Sequence, residues 1–361
     1  MKQILLSAFF ICTSLLSFGQ SDTYTWKKQT TITYPGKQDD ICFINENIGW
    51  YCNGQGKIYK TNNGGTIWNL VYDKPGTFFR CIGFIDSLRG FAGNVGTDYF
   101  PNVKDTIPLY TTTDGGVSWQ PVAYTGPYVK GLCAIDIVKE QFINRGNIDY
   151  RYHIYGVGRV GTPANMMASN DDGKTFTSWS MENDCKMLFD IKMFNTKEGF
   201  VCAATDADIT QSNALILYTK DGGKTWEKRY QSERPFETTW KVSFPTRKVG
   251  YVTIQSYNPD TTVKQQHVAK TTDGGKTWKE IDLCVNAQAR EFGIGFINEN
   301  IGFVGTMTSG YQTTDGGKTW TKTDIGRATN KIRVYDDKDT YHLHAIGVNV
   351  YQLEVKKEEV K

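Results

Sequence analysis

One eight-residue phrase recurs six times in this 361-residue chain. Its cleanest copy is Thr313-Thr314-Asp315-Gly316-Gly317-Lys318-Thr319-Trp320, and Thr271 to Trp278 and Thr219 to Trp226 repeat it around Asp273 and Asp221. Thr112 to Trp119 keeps all but the Lys, around Asp114. Ser169 to Phe176 writes Asp171-Asp172-Gly173 at its centre and closes on Phe176, and Thr61 to Trp68 puts Asn63 where Asp stands elsewhere. Apolar residues lead in, as Leu215-Ile216-Leu217-Tyr218 do before Thr219, and an aromatic follows; that reads as strand, turn, strand. An Asp before Gly-Gly accepts backbone N–H bonds inside the turn, and the glycines take positive φ at little steric cost. The aromatic then points to one face, where it packs against a neighbouring sheet. One copy predicts a turn; six predict a repeat architecture.

A second phrase precedes the first. Phe43-Ile44-Asn45-Glu46-Asn47-Ile48-Gly49-Trp50 recurs as Phe84 to Gly90-Phe91 and as Phe296 to Gly302-Phe303, with looser copies from Phe194 to Phe200 and from Phe244 to Tyr251. Together the phrases predict a four-stranded antiparallel blade, A to D, with a polar A–B turn. Six such blades span about 40–73, 78–124, 128–181, 185–230, 236–283 and 289–325. Trp26 stands 42 residues before Trp68, as Trp278 stands 42 before Trp320, but no Asp-Gly-Gly precedes Trp26. Residues 330–355 offer three strands and no fourth. The economical reading is a seventh blade made of 330–355 plus 23–32, which closes the ring and leaves no sheet edge open. The fold expected is all-β: a single domain over residues 20–361, a seven-bladed β-propeller closed by its N-terminal strand. Asn63, Asp114, Asp171, Asp221, Asp273 and Asp315 are its structural turn residues. Trp26, Trp68, Trp119, Phe176, Trp226, Trp278 and Trp320 are its blade-packing aromatics.

The first phrase resembles the Asp-box, or BNR, repeat of β-propellers: sialidases, sortilin-type receptor domains, xyloglucanase-type glycoside hydrolases and photosystem II stability/assembly factor-like proteins. The Phe-x-Asp/Asn…Gly-aromatic segment before each Asp-box is most similar to the last of these, over about 41–324. That resemblance implies a non-catalytic platform that holds protein partners during assembly of a membrane complex. The sialidase resemblance implies an arginine cluster, a Tyr–Glu nucleophile pair and an Arg-Ile-Pro or Arg-Leu-Pro phrase; no such phrase occurs in the sequence.

Met1-Lys2-Gln3 followed by apolar residues from Ile4 to about Leu16 reads as a secretory signal cut after Gly19, too short to span a membrane as a mature helix. A lipoprotein anchored at Cys12 is the rival, disfavoured by the bulky Ile11 before it. No later apolar stretch approaches about 20 residues. The mature chain is expected to be exported and monomeric. Its net charge of +3 lacks the basic stripe of a nucleic-acid binder. Seven cysteines follow Cys12, an odd number with no C-x-x-C, so no redox or zinc motif is indicated. Cys42 and Cys52 are candidates to face each other across a hairpin, or all seven serve as small buried hydrophobes.

Other chemistry reads weakly. Gly156-Val157-Gly158-Arg159-Val160-Gly161 matches the dinucleotide fingerprint, but Thr162-Pro163 and a strand follow where a helix is needed. His342 and His344 share a strand face without further ligands in sight, His153 and His267 being far in sequence. The Asp-box carboxylates are spread around the ring, whereas a glycosidase pair lies within roughly 5–10 Å. No cofactor and no metal are expected. What distinguishes the chain is where the repeat breaks. B–C connections are long near 97–107, 206–214 and 257–267, and in blade three the A–B connection is long near 140–150. The B–C loops lie on the face opposite the Asp-boxes, and loops on a rigid scaffold carry function. Tyr99, Phe100, Arg159 and Tyr257 are therefore the candidate residues for binding a protein partner; a carbohydrate ligand, bound or hydrolysed, is the alternative.

Overall fold

The computed structural model describes residues 24–32, 34 and 36–360. The expected signal segment and Cys12 lie outside the described residues. Among the described residues the chain is all-β apart from one 3-10 turn at Lys357–Glu359, and no described helix is long and apolar enough to cross a membrane.

Strand β1 (Lys27–Lys28) comes first. Sheet one holds β2 (Gln38–Phe43), β3 (Gly49–Asn53), β4 (Lys57–Thr61) and β5 (Asn69–Asp73). Sheet two holds β6 (Phe79–Phe84), β7 (Gly90–Asn94), β8 (Leu109–Thr112) and β9 (Gln120–Pro121). Sheet three holds β10 (Tyr124–Thr125), β11 (Ala134–Asn144), β12 (Asn147–Gly158), β13 (Asn165–Ser169) and β14 (Phe176–Ser180). Sheet four runs β15 (Met187–Met193), β16 (Gly199–Ala204), β17 (Ala214–Thr219), β18 (Glu227–Gln231). Sheet five runs β19 (Glu237–Ser243), β20 (Gly250–Ser256), β21 (Gln265–Thr271), β22 (Lys279–Val285). Sheet six runs β23 (Glu291–Phe296), β24 (Gly302–Thr306), β25 (Gly310–Thr313), β26 (Thr321–Thr323). Sheet seven joins β27 (Lys331–Asp336), β28 (Thr340–Ile346) and β29 (Val350–Lys356) to β1.

Each sheet packs on the next in chain order, and β27 and β28 pack on β2. Burial falls from the inner to the outer strand: β6 and β7 are wholly buried, β5 and β9 are not. The six turns repeat one set of bonds. Thr112 Oγ1 donates to Asp114 and accepts from Gly116 N–H at 3.0 Å, while Asp114 Oδ1 accepts the Ser118 N–H at 2.9 Å. The same bonds hold the Asp221, Asp273 and Asp315 turns, and Asn63 serves in its copy. Both central positions of every copy have positive φ, including Asp172 at 63° in the copy that lacks the first Gly. The aromatic that follows packs backward onto the preceding sheet. Trp119 meets Tyr72 at 6.3 Å, Phe176 meets Phe91 at 5.8 Å, and Trp278 meets Phe200 at 5.9 Å. The second phrase packs forward: Trp50 stacks on Phe84 and Tyr251 on Phe296, each at 3.6 Å. Edge-on and offset ring pairs of this kind add about 0.5–1.5 kcal/mol each beyond area burial.

At the seam, β1 pairs antiparallel with β29 through Lys27↔Gln352 and Lys28↔Tyr351. This strand is two residues long, far less than the 23–32 expected from sequence. Side chains complete the join: Gln29 bonds Gln352 Oε1 (2.8 Å) and Gly64 O (2.9 Å), and Trp26 sits edge-on to Phe303 at 5.1 Å.

Sheet three departs from expectation twice. Residues 140–150 are not a loop: β11 and β12 continue as a ladder to Asn144↔Asn147, around a two-residue turn with positive φ at Arg145 and Gly146. The sheet also has a fifth strand, since β10 pairs in parallel with β14, so Tyr124 belongs here and not to sheet two. The seven described cysteines are free thiols; Cys42 stands opposite Trp50 and Cys52 opposite Asp40, out of register for a bond.

Candidate functional site

The inner strands converge on an axis filled with charge. Lys331 Nζ lies 2.6 Å from Asp190, joining sheet seven to sheet four. Lys241 Nζ donates to Phe189 O at 2.9 Å, and Arg333 bonds Asp40 at 3.0 Å. Asn330 links Trp240 Nε1 (3.1 Å) to the Asp39 carbonyl (2.7 Å). Burial pushes the Lys241 ammonium down to about 8, with Asp190 opposing. Burial alone would also lower Arg80, but the Asp39 carboxylate it is bonded to outweighs that and raises it.

Above this layer opens a cavity of about 900 Å³, within the size range of ligand sites. Trp240, Phe292, Arg80 and Phe78 are its buried lining, Tyr99 and Phe100 are its exposed lining, and Tyr257 lines it as well. The aromatics touch one another: Phe78 and Phe100 at 4.4 Å, Tyr99 and Phe100 at 4.9 Å, Trp240 and Phe292 at 6.0 Å. Four cations line it, Lys37, Lys57, Arg80 and Arg290, against one carboxylate, Asp73. Asp73 lies 3.7 Å from Lys57. Lys37 and Arg80 share Asp39 behind the floor. Burial, then Arg80, lowers Lys37 to about 8. Arg290 lies over Tyr257 (4.9 Å) and Phe292 (5.3 Å), and its Nε is buried without a hydrogen-bond partner.

The loop after β7 that carries Tyr99 and Phe100 is firmly held. Asp105 accepts the hydroxyls of Thr77 (2.5 Å) and Tyr110 (2.6 Å), and Asn94 Nδ2 donates to the carbonyls of Asp105 and Ile107. Tyr257 is fixed by its N–H to Phe236 O at 2.8 Å, and burial raises its phenol to about 12.

The structure thus brings Tyr99, Phe100 and Tyr257 together and leaves Arg159 out. Arg159 is buried, and its guanidinium donates to the carbonyls of Thr97 (2.5 Å) and Val95 (3.4 Å), fastening the loop from below. Trp240, Phe292 and Arg290 were missed in the sequence, because the inner strands carry no repeated phrase to mark them. The glycine fingerprint falls at the end of β12, with a bridge from Arg159 to Leu188 and no helix after it. His344 stacks on Phe43 at 3.7 Å, in the place where other sheets put Trp50 or Tyr251, and burial lowers it to about 3. His342 bonds Asp337 at 2.9 Å. A Tyr–Glu contact does occur, but elsewhere: Tyr230 donates to Glu280, while Arg234 holds Glu280 (2.9 Å) and Glu237 (2.6 Å) together. Burial, then Glu280, pushes that phenol up.

Residues 164–293 match the family model described as "Sortilin, neurotensin receptor 3". No curated sequence matches the chain. Among solved structures the chain is similar to YCF48 bound to D1 peptide, with 15% identity, TM-score 0.63, and 96% of this chain and 100% of that one covered. It is similar to YCF48 from Cyanidioschyzon merolae at 14% identity and TM-score 0.62, covering 91% and 98%. An ancestral GH74 enzyme gives 11% identity and TM-score 0.64; 94% of this chain is covered, but it spans only 47% of that one. At such identities the likeness is one of fold, a β-propeller with YCF48, GH74 and sortilin-like resemblances.

Proposed function

We propose that the chain is a seven-bladed propeller, closed by β1, that acts outside the cytoplasm as a non-catalytic binding module. Its cavity takes an extended, acidic and apolar segment of a partner protein. One observation carries this reading: an aromatic-walled cavity lined by four cations and a single carboxylate. Stacking walls and excess positive charge suit a peptide, and hydrolysis of a glycoside needs a second carboxyl group within about 10 Å. The YCF48 structure with a D1 peptide adds that a propeller of similar fold binds a peptide.

The test is a peptide array probed with the purified mature protein, compared with Y99A/F100A. The double variant is expected to keep its thermal midpoint within about 3 °C and to lose at least tenfold in affinity for selected peptides, since buried aromatic anchors dominate such interfaces. Unchanged affinity would sink the cavity reading. The carbohydrate alternative rests on Tyr230, Glu280 and Arg234. Oligosaccharide hydrolysis that disappears in Glu280→Gln would replace our reading with that one.

A further inference from the structure

The hairpin of β11 and β12 stands clear of sheet three. β13 pairs with β12 only from Ile154 to Gly158, whereas β11 and β12 stay paired from Lys139↔Tyr152 out to Asn144↔Asn147. Those six extra residues per strand project about 20 Å. A lone two-stranded ribbon is marginal in water. Its apolar side chains are uncovered: Ile143 is 79% exposed, Ile148 62% and Tyr150 44%. With Tyr152 they share one face, since alternate residues and cross-strand partners point the same way.

The outer edge of β12 is open beyond Tyr152. Tyr152 uses both of its outward backbone groups on Asp172: its N–H donates to Asp172 Oδ1 at 2.8 Å, and its carbonyl accepts the Asp172 N–H at 3.1 Å. By the two-residue period of a strand, Tyr150 and Ile148 turn their N–H and carbonyl groups to the same edge. The Tyr150 N–H is met by the carboxylate of its neighbour Asp149 at 2.8 Å. Open edges of this kind recruit other strands.

This edge is complementary to itself. An antiparallel copy laid with Tyr150 against Tyr150 sets Asp149 against Arg151 and Arg151 against Asp149, and the pairing stops on either side where Asp172 already occupies the Tyr152 edge. A slide of two residues either way brings Asp149 opposite Asp149 or Arg151 opposite Arg151, and like charges directly opposite are destabilising. A slip of one residue turns the apolar face against the polar one. Charge and hydrophobicity therefore select one register.

We propose that this hairpin is a homodimerisation surface, in which β12 of one copy pairs antiparallel with β12 of a second around Tyr150. The contact is isologous, as a two-fold dimer requires. It is also short, because Asp172 ends the free edge at Tyr152. Its area falls below that of permanent interfaces, so the dimer is weak and concentration-dependent.

Sedimentation velocity on the mature protein between about 10 μM and 1 mM, the range of weak association, tests this. The wild type is expected to double its mass across that range. Asp149→Arg and Arg151→Asp should each remain monomeric with an unchanged thermal midpoint. An equimolar mixture of the two should dimerise, because a strand with two arginines then faces a strand with two aspartates. A wild type that stays monomeric throughout overturns the proposal and leaves the edge to a strand of another protein. Single variants that dimerise like the wild type, or a mixture no better than its components, also overturn it.

Discussion

Two ends of sheet two are built on different principles. At one end the side chains of the turn from Thr112 to Trp119 bond within four residues: Thr112 to Asp114, Gly116 to Thr112, Ser118 to Asp114. The turn is tied outward through Gly115, whose N–H meets the Leu88 carbonyl and whose carbonyl accepts Trp50 Nε1. At the other, the loop with Tyr99 and Phe100 is held from far away. Arg159 reaches the Thr97 carbonyl across 62 residues, Thr77 reaches Asp105 across 28, and Lys104 N–H bonds Gly76 O. The turn's side-chain bonds lie within its own eight residues, its backbone tie to the A–B turn recurs with it, and both are therefore copied around the molecule. The loop is specified by the assembled ring and is found once. What repeats builds the scaffold, and what is unique shapes the cavity.

The distinction can be broken by mutation, and the largest effect is expected at the loop. Arg159→Met leaves the buried Val95 carbonyl and the half-buried Thr97 carbonyl without their donor and should lower the unfolding free energy in urea by about 2–3 kcal/mol. The same change should weaken peptide capture, since the Tyr99–Phe100 wall loses its fastening. Full stability in that variant would show that the loop holds itself. Next in size is Asp114→Ala, expected to cost about 1–2 kcal/mol, as loss of a side-chain cap does, with no change in peptide affinity. Asp221→Ala and Asp273→Ala should cost the same to within about 0.5 kcal/mol, because independent local sites behave alike. A larger spread would mean that the turns read their surroundings after all.

The smallest effect is a pH dependence. Bonds from the Ser118 hydroxyl and N–H hold Asp114 at about 2, and bonds from the Thr277 N–H and hydroxyl hold Asp273 at about 2. Both lie below the unfolded carboxyl value of about 3.9. The unfolded chain therefore binds more protons in this range, and the turns contribute stability that is complete above about pH 4 and lost as pH falls toward 2. Asp114→Asn should flatten the fall of the urea midpoint over that interval. An unaltered slope would place the acid sensitivity in the axis carboxylates instead.

Legibility in the sequence follows the same divide. The Thr–Asp–Gly–Gly turns and the aromatics Trp119, Phe176 and Trp278 were readable because each works within a few residues of itself and one neighbouring sheet. Trp240, Phe292 and Arg290 were not, because they meet only when sheets five and six face the axis. Arg159, in its glycine-rich stretch, gives no sign in the sequence of being buried beneath the Thr97 loop. The β11–β12 hairpin had a signal that was passed over: Arg145-Gly146 between alternating segments marks a two-residue turn with positive φ. His344 shares a strand face with His342 and shows no further ligand in the sequence, and its ring stacks on Phe43 as an aromatic of the repeat.

The charged layer across the axis has a topological consequence. Trp240, Asn330, Lys331 and Asp190 cross the hub of the wheel and leave the cavity with a floor. With such a floor, a partner segment bound as proposed would be held from one side of the molecule and not threaded through it as through a washer. The proposed segment would therefore enter as a free end or lie extended across the opening, and be released in the reverse order of its capture.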